Sequence, residues 1–195
     1  MTIELPHELV WVNELCGNRW PVLDEDQCFA EAELLRAHAR DLYDLDQDAN
    51  WHASDLNKYN DAEFVGAFMR AWRRIRYNHG QSREASVLMA DIAWSVGLAV
   101  QSAKTAMLGV LALTAGQVMR AKMTSSHIPG VAEDAFRAVK AGRIAVAGIS
   151  DRFQHFLQVE ITRNAAGQAM AILDQVQEVG FGPASPSAPG AAPSP

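Results

Sequence analysis

Apolar residues recur at intervals of three and four along most of this sequence, and hardly any segment alternates polar and apolar side chains. The first spacing places apolar residues on one face of an α-helix, whereas alternation would indicate a half-buried strand. With 195 residues, 49% of them hydrophobic, the chain is long enough to bury a sizeable core. We therefore expect an all-α protein, an elongated antiparallel helical bundle with a short N-terminal helix.

The ends of the first two helices are marked by residues that favour helix termini. Pro6 suits the first turn of a short helix that stops at Gly17. The second helix is expected to open at Asp24, whose side chain can cap it, with Gln27 three residues on. The polar stretch 44–60 is open to two interpretations, a continuation of this helix or a loop.

Two more helices are expected in the middle of the chain. The first spans about 61–77, and Gly80 follows as a C-terminal stop. The second begins at Ser82 and continues to Met123, and it is apolar enough to form the centre of the fold. The residues of the 61–77 helix expected to face inward are Phe64, Phe68, Ala71, Trp72 and Ile75.

Beyond Met123 we expect a break at 125–130, with Pro129 in the first turn of the next helix. An Ala-rich helical region then runs from Val131 to Val179, with one bend or break predicted at 148–150, where Ser150 and Asp151 could cap a restart. The last residues are rich in Pro, Ala and Ser and have no apolar period. We expect a helical domain over 1–182 and a flexible, disordered tail or linker over 183–195.

Charge is distributed unevenly along the chain. The first 64 residues carry 15 acidic and 4 basic side chains, and the rest carry 8 acidic and 13 basic ones. This asymmetry suits antiparallel helices that attract one another or a partner at one end, although solvated faces of opposite sign are the simpler interpretation. A net charge of −6, with one short basic cluster at 70–76, argues against nucleic-acid binding.

No membrane-spanning segment and no Sec-type signal peptide is predicted. The longest charge-free run before the tail, 105–119, is shorter than the roughly 20 apolar residues that a span needs. The first residues lack a basic segment followed by an apolar one. Cys16 and Cys28 are interpreted as small core residues, with a bridge between them as the alternative in an oxidising compartment.

No motif for enzyme chemistry is found. The sequence has no Gly-rich phosphate loop, no HExxH and no nucleophile elbow. Asp48, His52 and Asp55 approach the spacing of metal ligands on a helix, but we interpret them as a hydrated surface. We expect no catalytic site, no cofactor and no metal.

Three patterns remain that could serve packing or recognition. Trp11 and Trp20 flank a short helix and a Gly turn, which predicts a lid packed over the end of a helical hairpin. Tyr59 and Glu63 would share one face if they lie on the same helix. Small residues along the central helix permit close helix packing, and we favour the core over a partner interface for them: Ala99, Ala103, Ala106, Gly109, Ala112 and Gly116.

The opening of the chain resembles the helical N-terminal domain of actinobacterial polymorphic toxins, a group that includes the N-terminal part of a mycobacterial outer-membrane channel protein carrying a necrotising toxin. The matching positions are Leu5-Pro6, Trp11, Gly17, Trp20-Pro21 and Glu25-Asp26. The similarity continues in Ala103-Lys104 and the apolar helix after it, and it covers about residues 3–182.

This resemblance implies a relation to the broad Trp-x-Gly superfamily of helical hairpins exported by type VII (ESX-type) secretion. It implies a non-enzymatic targeting module, secreted without a signal peptide or cytoplasmic before export, and linked to an effector after residue 195. Tyr59 and Glu63 match the superfamily's Tyr-x-x-x-Asp/Glu export signal, and Trp11, Trp20 and Pro21 are candidate docking residues. The implied partner is a secretion component or a small helical protein, in a homo- or heterodimer.

Two alternatives stay open at this point. A stand-alone cytoplasmic interaction protein or chaperone could share the fold, and a stop codon after Pro195 would favour it. A membrane-active helical protein is the other, because residues 98–119 are apolar with Lys104 as their single charge.

Overall fold

A computed structural model describes residues 2–60, 63–124 and 131–181, and every regular element within these ranges is helical. The elements are a 3-10 turn (His7–Leu9), α1 (Val10–Leu15), α2 (Glu25–Tyr59), α3 (Glu63–Thr124), α4 (Val131–His155), a π-helical segment (Phe156–Ala165) and α5 (Ala166–Phe181). The expected all-α class is confirmed. With 62 residues, α3 is about 93 Å long. The predicted tail (183–195) and the predicted break (125–130, with Pro129) lie outside the described residues.

The short N-terminal helix begins and ends where the sequence predicts. Pro6 immediately precedes the 3-10 turn, and the chain leaves α1 through Gly17, which has a φ of 105°. The Asn18 N–H donates to the Asn13 carbonyl at 2.8 Å and the Gly17 N–H to Glu14 at 3.1 Å. These two bonds form a Schellman motif, in which a residue with positive φ closes the helix.

Asp24 caps α2 as predicted. Its carboxylate accepts hydrogen bonds from the backbone N–H groups of Asp26 and Gln27. The Gln27 amide donates to Glu31 at 3.3 Å rather than to the capping residue. The stretch 44–60, for which a loop was the alternative, continues the helix as far as Tyr59.

The predicted helix end at Gly80 is wrong, because α3 is continuous from Glu63 to Thr124. A glycine inside a helix costs about 1 kcal/mol relative to alanine, which tertiary packing readily offsets. Packing is present on both sides of Gly80. Trp72 and Ala85 are buried, and the Arg76 guanidinium binds Asp46 of α2 through two nitrogens at 3.1 Å.

Buried residues of α3 form two lines along the helix. The first, which we name the main seam, contains Val65, Trp72, Ser86, Ala90, Val100, Lys104, Met107, Leu111, Thr114 and Ala121. All ten positions fit alternating steps of three and four, the period of a left-handed coiled coil. Ala32, Ala39 and Ala53 of α2 are buried at intervals of seven and fourteen, so small residues bring α2 close to the first half of this seam.

The other line, which we name the second seam, runs beside the main seam in the middle of α3. Its half-buried or buried members are Asn78, Ser82, Ala85, Ile92, Val96, Ala99 and Ala103. Ile149 and Phe153, near the end of α4, and Phe156 of the π-helical segment share a groove with Ala99 and Ala103, and α5 also packs on α3. In the described ranges no Cα atom of α2 lies within 8 Å of one in α4 or α5. α3 is therefore a spine that α2 and the returning helices approach separately.

The bend predicted at 148–150 is also wrong. α4 is regular through Gly148 and Ser150, and the helix departs from α geometry only in the π-helical segment after His155. Ser150 is buried together with Val146, one turn before it. Val146 and Ser150 lie on the face of α4 that packs into the bundle. Ser150 is therefore an interior residue of α4 and does not cap a new helix.

The compact core lies where the N-terminal segment covers α3 and α4. Val12 and Cys16 are fully buried against Met107, Leu111 and Val146. Gly142 of α4 is the point of closest approach, since a Cβ there would lie 2.5 Å from Thr114 Oγ1 and 3.1 Å from Cys16 Sγ. Three elements can therefore meet only because residue 142 has no side chain.

Candidate functional site

The aromatic residues of the opening motif pack against their own chain. Trp11 and Trp20 are half-buried beside the core of Val12, Met107 and Leu111. The predicted lid is therefore present, although it covers the middle of α3 and part of α4 instead of a hairpin end. Pro21 is half-buried as well. Trp11, Trp20 and Pro21, the three docking candidates, therefore each expose only part of their surface to a partner.

A buried ion pair joins Glu25, at the start of α2, to Lys104 of α3. The Lys104 ammonium of α3 donates to Glu25 Oε2 at 2.6 Å, and the two side chains are 3% and 1% exposed. The Ile3 backbone N–H donates to the other carboxylate oxygen. Burial alone would raise the pKa of Glu25, but these hydrogen bonds outweigh it and hold the pKa below its ordinary value.

This ion pair went unrecognised in the sequence, although both residues belong to the motif positions. A usable signal was present, because a single lysine in an apolar helix requires a buried partner or an exposed position. The acidic partner could not be chosen from the many carboxylates of the first 64 residues.

Tyr59 and Glu63 lie on two helices. Tyr59 is the last residue of α2 and Glu63 the first of α3, so they do not form a pair on a single helical face as the spacing suggested. The Tyr59 side chain is 70% exposed, and the Lys58 ammonium lies 5.2 Å from the centre of its ring. Tyr59 is thus an accessible aromatic residue at the end of the α2–α3 hairpin.

Four apolar residues beside this hairpin end form what we name the uncovered strip: Phe64, Phe68, Ala71 and Ile75. We expected them to face inward together with Trp72, but only Trp72 is buried. Their spacing of four, three and four continues the second seam from Asn78 toward the hairpin end. The strip is exposed to different degrees, Phe64 by 65%, Ile75 by 44% and Phe68 by 39%.

A second correction concerns the small residues of α3. Ala103 is buried and Ala99 half-buried, as core packing requires. Four others, Ala106, Gly109, Ala112 and Gly116, are exposed, and a Cβ at either glycine would meet no atom within 4 Å. Leu113 beside them is 69% exposed. In the described chain this part of α3 therefore presents an uncharged face to the outside.

By length and composition α3 could also cross a membrane. Its most apolar stretch is 33% buried, and the core helix of a soluble bundle can have the same length and composition. From the charge-free run 105–119 alone, no membrane-spanning segment was predicted. A spanning helix can include a charged residue such as Lys104, which makes the apolar stretch longer.

The described residues contain no cluster of three metal-ligating side chains, and Asp48, His52 and Asp55 are exposed on α2. Both cysteines are free. Burial raises the pKa of the Cys16 and Cys28 thiols, which makes them less reactive at neutral pH.

In comparisons with known proteins, no family model matches the chain, and neither a curated protein nor a solved structure is significantly similar to it.

Proposed function

We propose that this chain is a non-enzymatic helical targeting module of a type VII (ESX-type) secreted effector or polymorphic toxin, which binds a helical partner or a secretion component. In this proposal it is exported without a signal peptide and carries a linked effector domain after residue 195. It needs no cofactor, because its activity is recognition.

The arrangement of the motif residues supports the proposal. Trp11 and Trp20 belong to the lid, Gly17 provides the positive φ that ends α1, and Glu25 binds Lys104. The separate pieces of sequence that carry the resemblance therefore meet in one structural unit. A shared pattern of this kind is expected if the family preserves this packed unit on its long helix.

The observation that carries the docking function is the uncovered strip. Phe64, Phe68, Ala71 and Ile75 continue an established helix–helix seam into an exposed region, and an amphipathic helix binds such a surface with apolar residues at intervals of three and four. Arg74 lies beside the strip on α3 and is exposed. The matching partner is an amphipathic helix with acidic residues beside its apolar stripe.

The function is tested by measuring export from an actinobacterial host. Wild-type chain is expected in the culture supernatant, by immunoblot, only when the type VII secretion ATPase is present. Replacing both Phe64 and Phe68 with Ser removes the apolar strip, so export should fall at least about tenfold, the loss expected when a buried hot spot is removed from an interface. The Tyr59→Ala, Glu63→Ala variant tests the hairpin end separately.

The matched control replaces Leu34 and Leu45, two exposed leucines of α2, with Ser. It removes a similar apolar area outside the strip and should leave export unchanged. If the wild-type chain stays inside the cells of every strain, the delivery proposal fails and a cytoplasmic chaperone takes its place. If export requires the ATPase but tolerates the Phe64→Ser, Phe68→Ser variant, the strip is not the docking surface.

A further inference from the structure

A polar cleft opens between α2 and α3, near the middle of their hairpin. It has a volume of about 380 Å³, and most of its lining side chains are polar or aromatic. Those that bear on binding are Tyr43 and Asp46 of α2 with Arg73, Arg76, Tyr77 and Arg83 of α3. The cleft is separate from the uncovered strip and has no part in the proposed function.

The charges of the cleft are not balanced. Three guanidinium groups line it, and Asp46 is the one carboxylate among the lining residues. Asp46 accepts from Arg76 through Nε and Nη2, at 3.1 Å each. Among the side chains that the structure describes, no carboxylate pairs with Arg73 or Arg83. The cleft therefore keeps an excess of two positive charges.

Arg83 and Arg76 are each held by a contact that leaves some of their N–H groups without a hydrogen-bond partner. The Arg83 guanidinium lies 5.3 Å from the centre of the Tyr43 ring, a cation–π contact that leaves its N–H groups free to donate. The bidentate bond to Asp46 orients Arg76 and leaves Nη1 available. Asp44 and Glu33 share the adjoining groove with Arg83, but neither lies within ion-pair distance of it.

Gly80 lies in the wall of this cleft, one turn before Arg83. A Cβ at residue 80 would meet no atom within 4 Å, so its absence leaves open space and not a tight contact. The glycine neither ends the helix nor allows a close approach of helices. The open space beside Gly80 is part of the cleft, so a side chain at residue 80 would occupy it.

We infer that this cleft is a binding site for a phosphate-monoester dianion. A dianion matches the excess of two charges, and planar guanidinium groups bind tetrahedral oxyanions through paired hydrogen bonds. Tyr43 and Tyr77 also line the cleft, and their hydroxyl groups are neutral hydrogen-bond donors. The volume admits the phosphate group with a small organic substituent, such as a phosphorylated side chain.

The test is calorimetric titration of the full chain at pH 7.5 and low ionic strength. The probes are inorganic phosphate, O-phosphoserine, sulfate and acetate. Phosphate and phosphoserine should bind, and Arg83→Gln should weaken both at least about tenfold, the effect of losing a charge-assisted hydrogen bond. Arg70→Gln is the matched control, because Arg70 is an exposed arginine of the same helix outside the cleft.

Gly80→Leu tests the site without removing a charge. A leucine fills the cleft and is a better helix former than glycine, so the melting temperature should not fall while binding is lost. Tighter binding of phosphoserine than of inorganic phosphate would assign a phosphorylated side chain as the ligand, and equal binding would assign the phosphate group alone.

The inference is overturned by any of three results: no binding to the wild-type chain, equal losses of phosphate affinity in Arg70→Gln and Arg83→Gln, or acetate binding as tightly as phosphate.

Discussion

Glu25 and Lys104 tie the N-terminal segment, α2 and α3 together through a single pair of side chains. Both are almost fully buried, and Glu25 also accepts the Ile3 N–H. A buried ion pair is weak evidence for stability, but removing one partner leaves a charge without compensation. The pair is therefore best understood as fixing the register at which α2 begins against α3, as a polar residue in a coiled-coil seam does.

The pH dependence of stability should report on Glu25. Its folded-state pKa is lowered, so its contribution is complete above the unfolded value of about 4.3 and is lost as the pH falls through the folded-state pKa. Urea unfolding between pH 6 and pH 3 should show the free energy of unfolding decreasing in this window. The Glu25→Gln variant should have a lower free energy of unfolding than the wild-type chain at pH 6. Its free energy of unfolding should also decrease less between pH 6 and pH 3.

Glu33→Gln is the control for this measurement, because Glu33 is an exposed carboxylate whose ion pair with Arg36 lies within one helix. It should keep the wild-type acid profile. An unchanged slope in Glu25→Gln would show that the buried pair does not determine acid stability.

At the scale of residues, the sequence allows prediction of interactions that span a few positions. Asp24 caps α2 and Gly17 ends α1 because these roles depend on neighbours two to five residues away. Glu25 and Lys104 are 79 residues apart. Their pairing depends on how two helices align, which neither local composition nor spacing determines.

At the scale of elements, the predictions failed where glycine was taken as a helix stop. Gly80 and Gly148 both lie inside continuous helices, with open space where a Cβ would be. The local preference against glycine is about 1 kcal/mol per residue, and the packing of whole helix faces is larger. Gly17 did end its helix, because the short α1 buries only Val12 and Asn13 and has little packing to carry it further.

Two glycines of α4 should respond oppositely to the same substitution. Gly148→Ala adds a methyl group to open space, so it should raise the free energy of unfolding by about 0.5–1 kcal/mol through helix propensity. Gly142→Ala places a Cβ against Thr114 and Cys16, so this substitution should lower the free energy of unfolding by about 1–3 kcal/mol.

Urea denaturation of both variants measures the difference directly. Because the substitutions are identical and lie in one helix, effects of composition cancel. A stabilised Gly142→Ala variant would mean that the three elements do not approach as closely as described.

At the scale of the whole molecule, the number of elements packed on α3 changes along its length. Its first turns contact α2 and carry the uncovered strip, whereas the region of Met107 and Leu111 is covered by both the lid and α4. The sequence predicted the inward face of 61–77 wrongly for this reason. Periodicity shows that Phe64, Phe68 and Ile75 share a face, but not whether another helix reaches that face.

Hydrogen exchange should reveal this gradient. Backbone amides in the first three turns of α3 should exchange faster than those around Met107 and Leu111, since local opening is easier where fewer elements pack. Exchange detected by mass spectrometry on the full chain resolves the two regions. Uniform protection along α3 would show that the helix opens only as a unit.

The separate attachment of α2 and α5 to one spine also sets how the molecule would respond to a pulling force. The described chain ends in α5, which has no Cα atom within 8 Å of one in α1 or α2. Tension applied there would first peel α5 from α3 one turn at a time, a low-force route compared with shearing whole helices past each other, and would then reach the core that α4 forms with the lid. The α2–α3 hairpin, fastened by Glu25 and Lys104, would remain folded until last, so a machine that draws in the C-terminal end would meet its main resistance late.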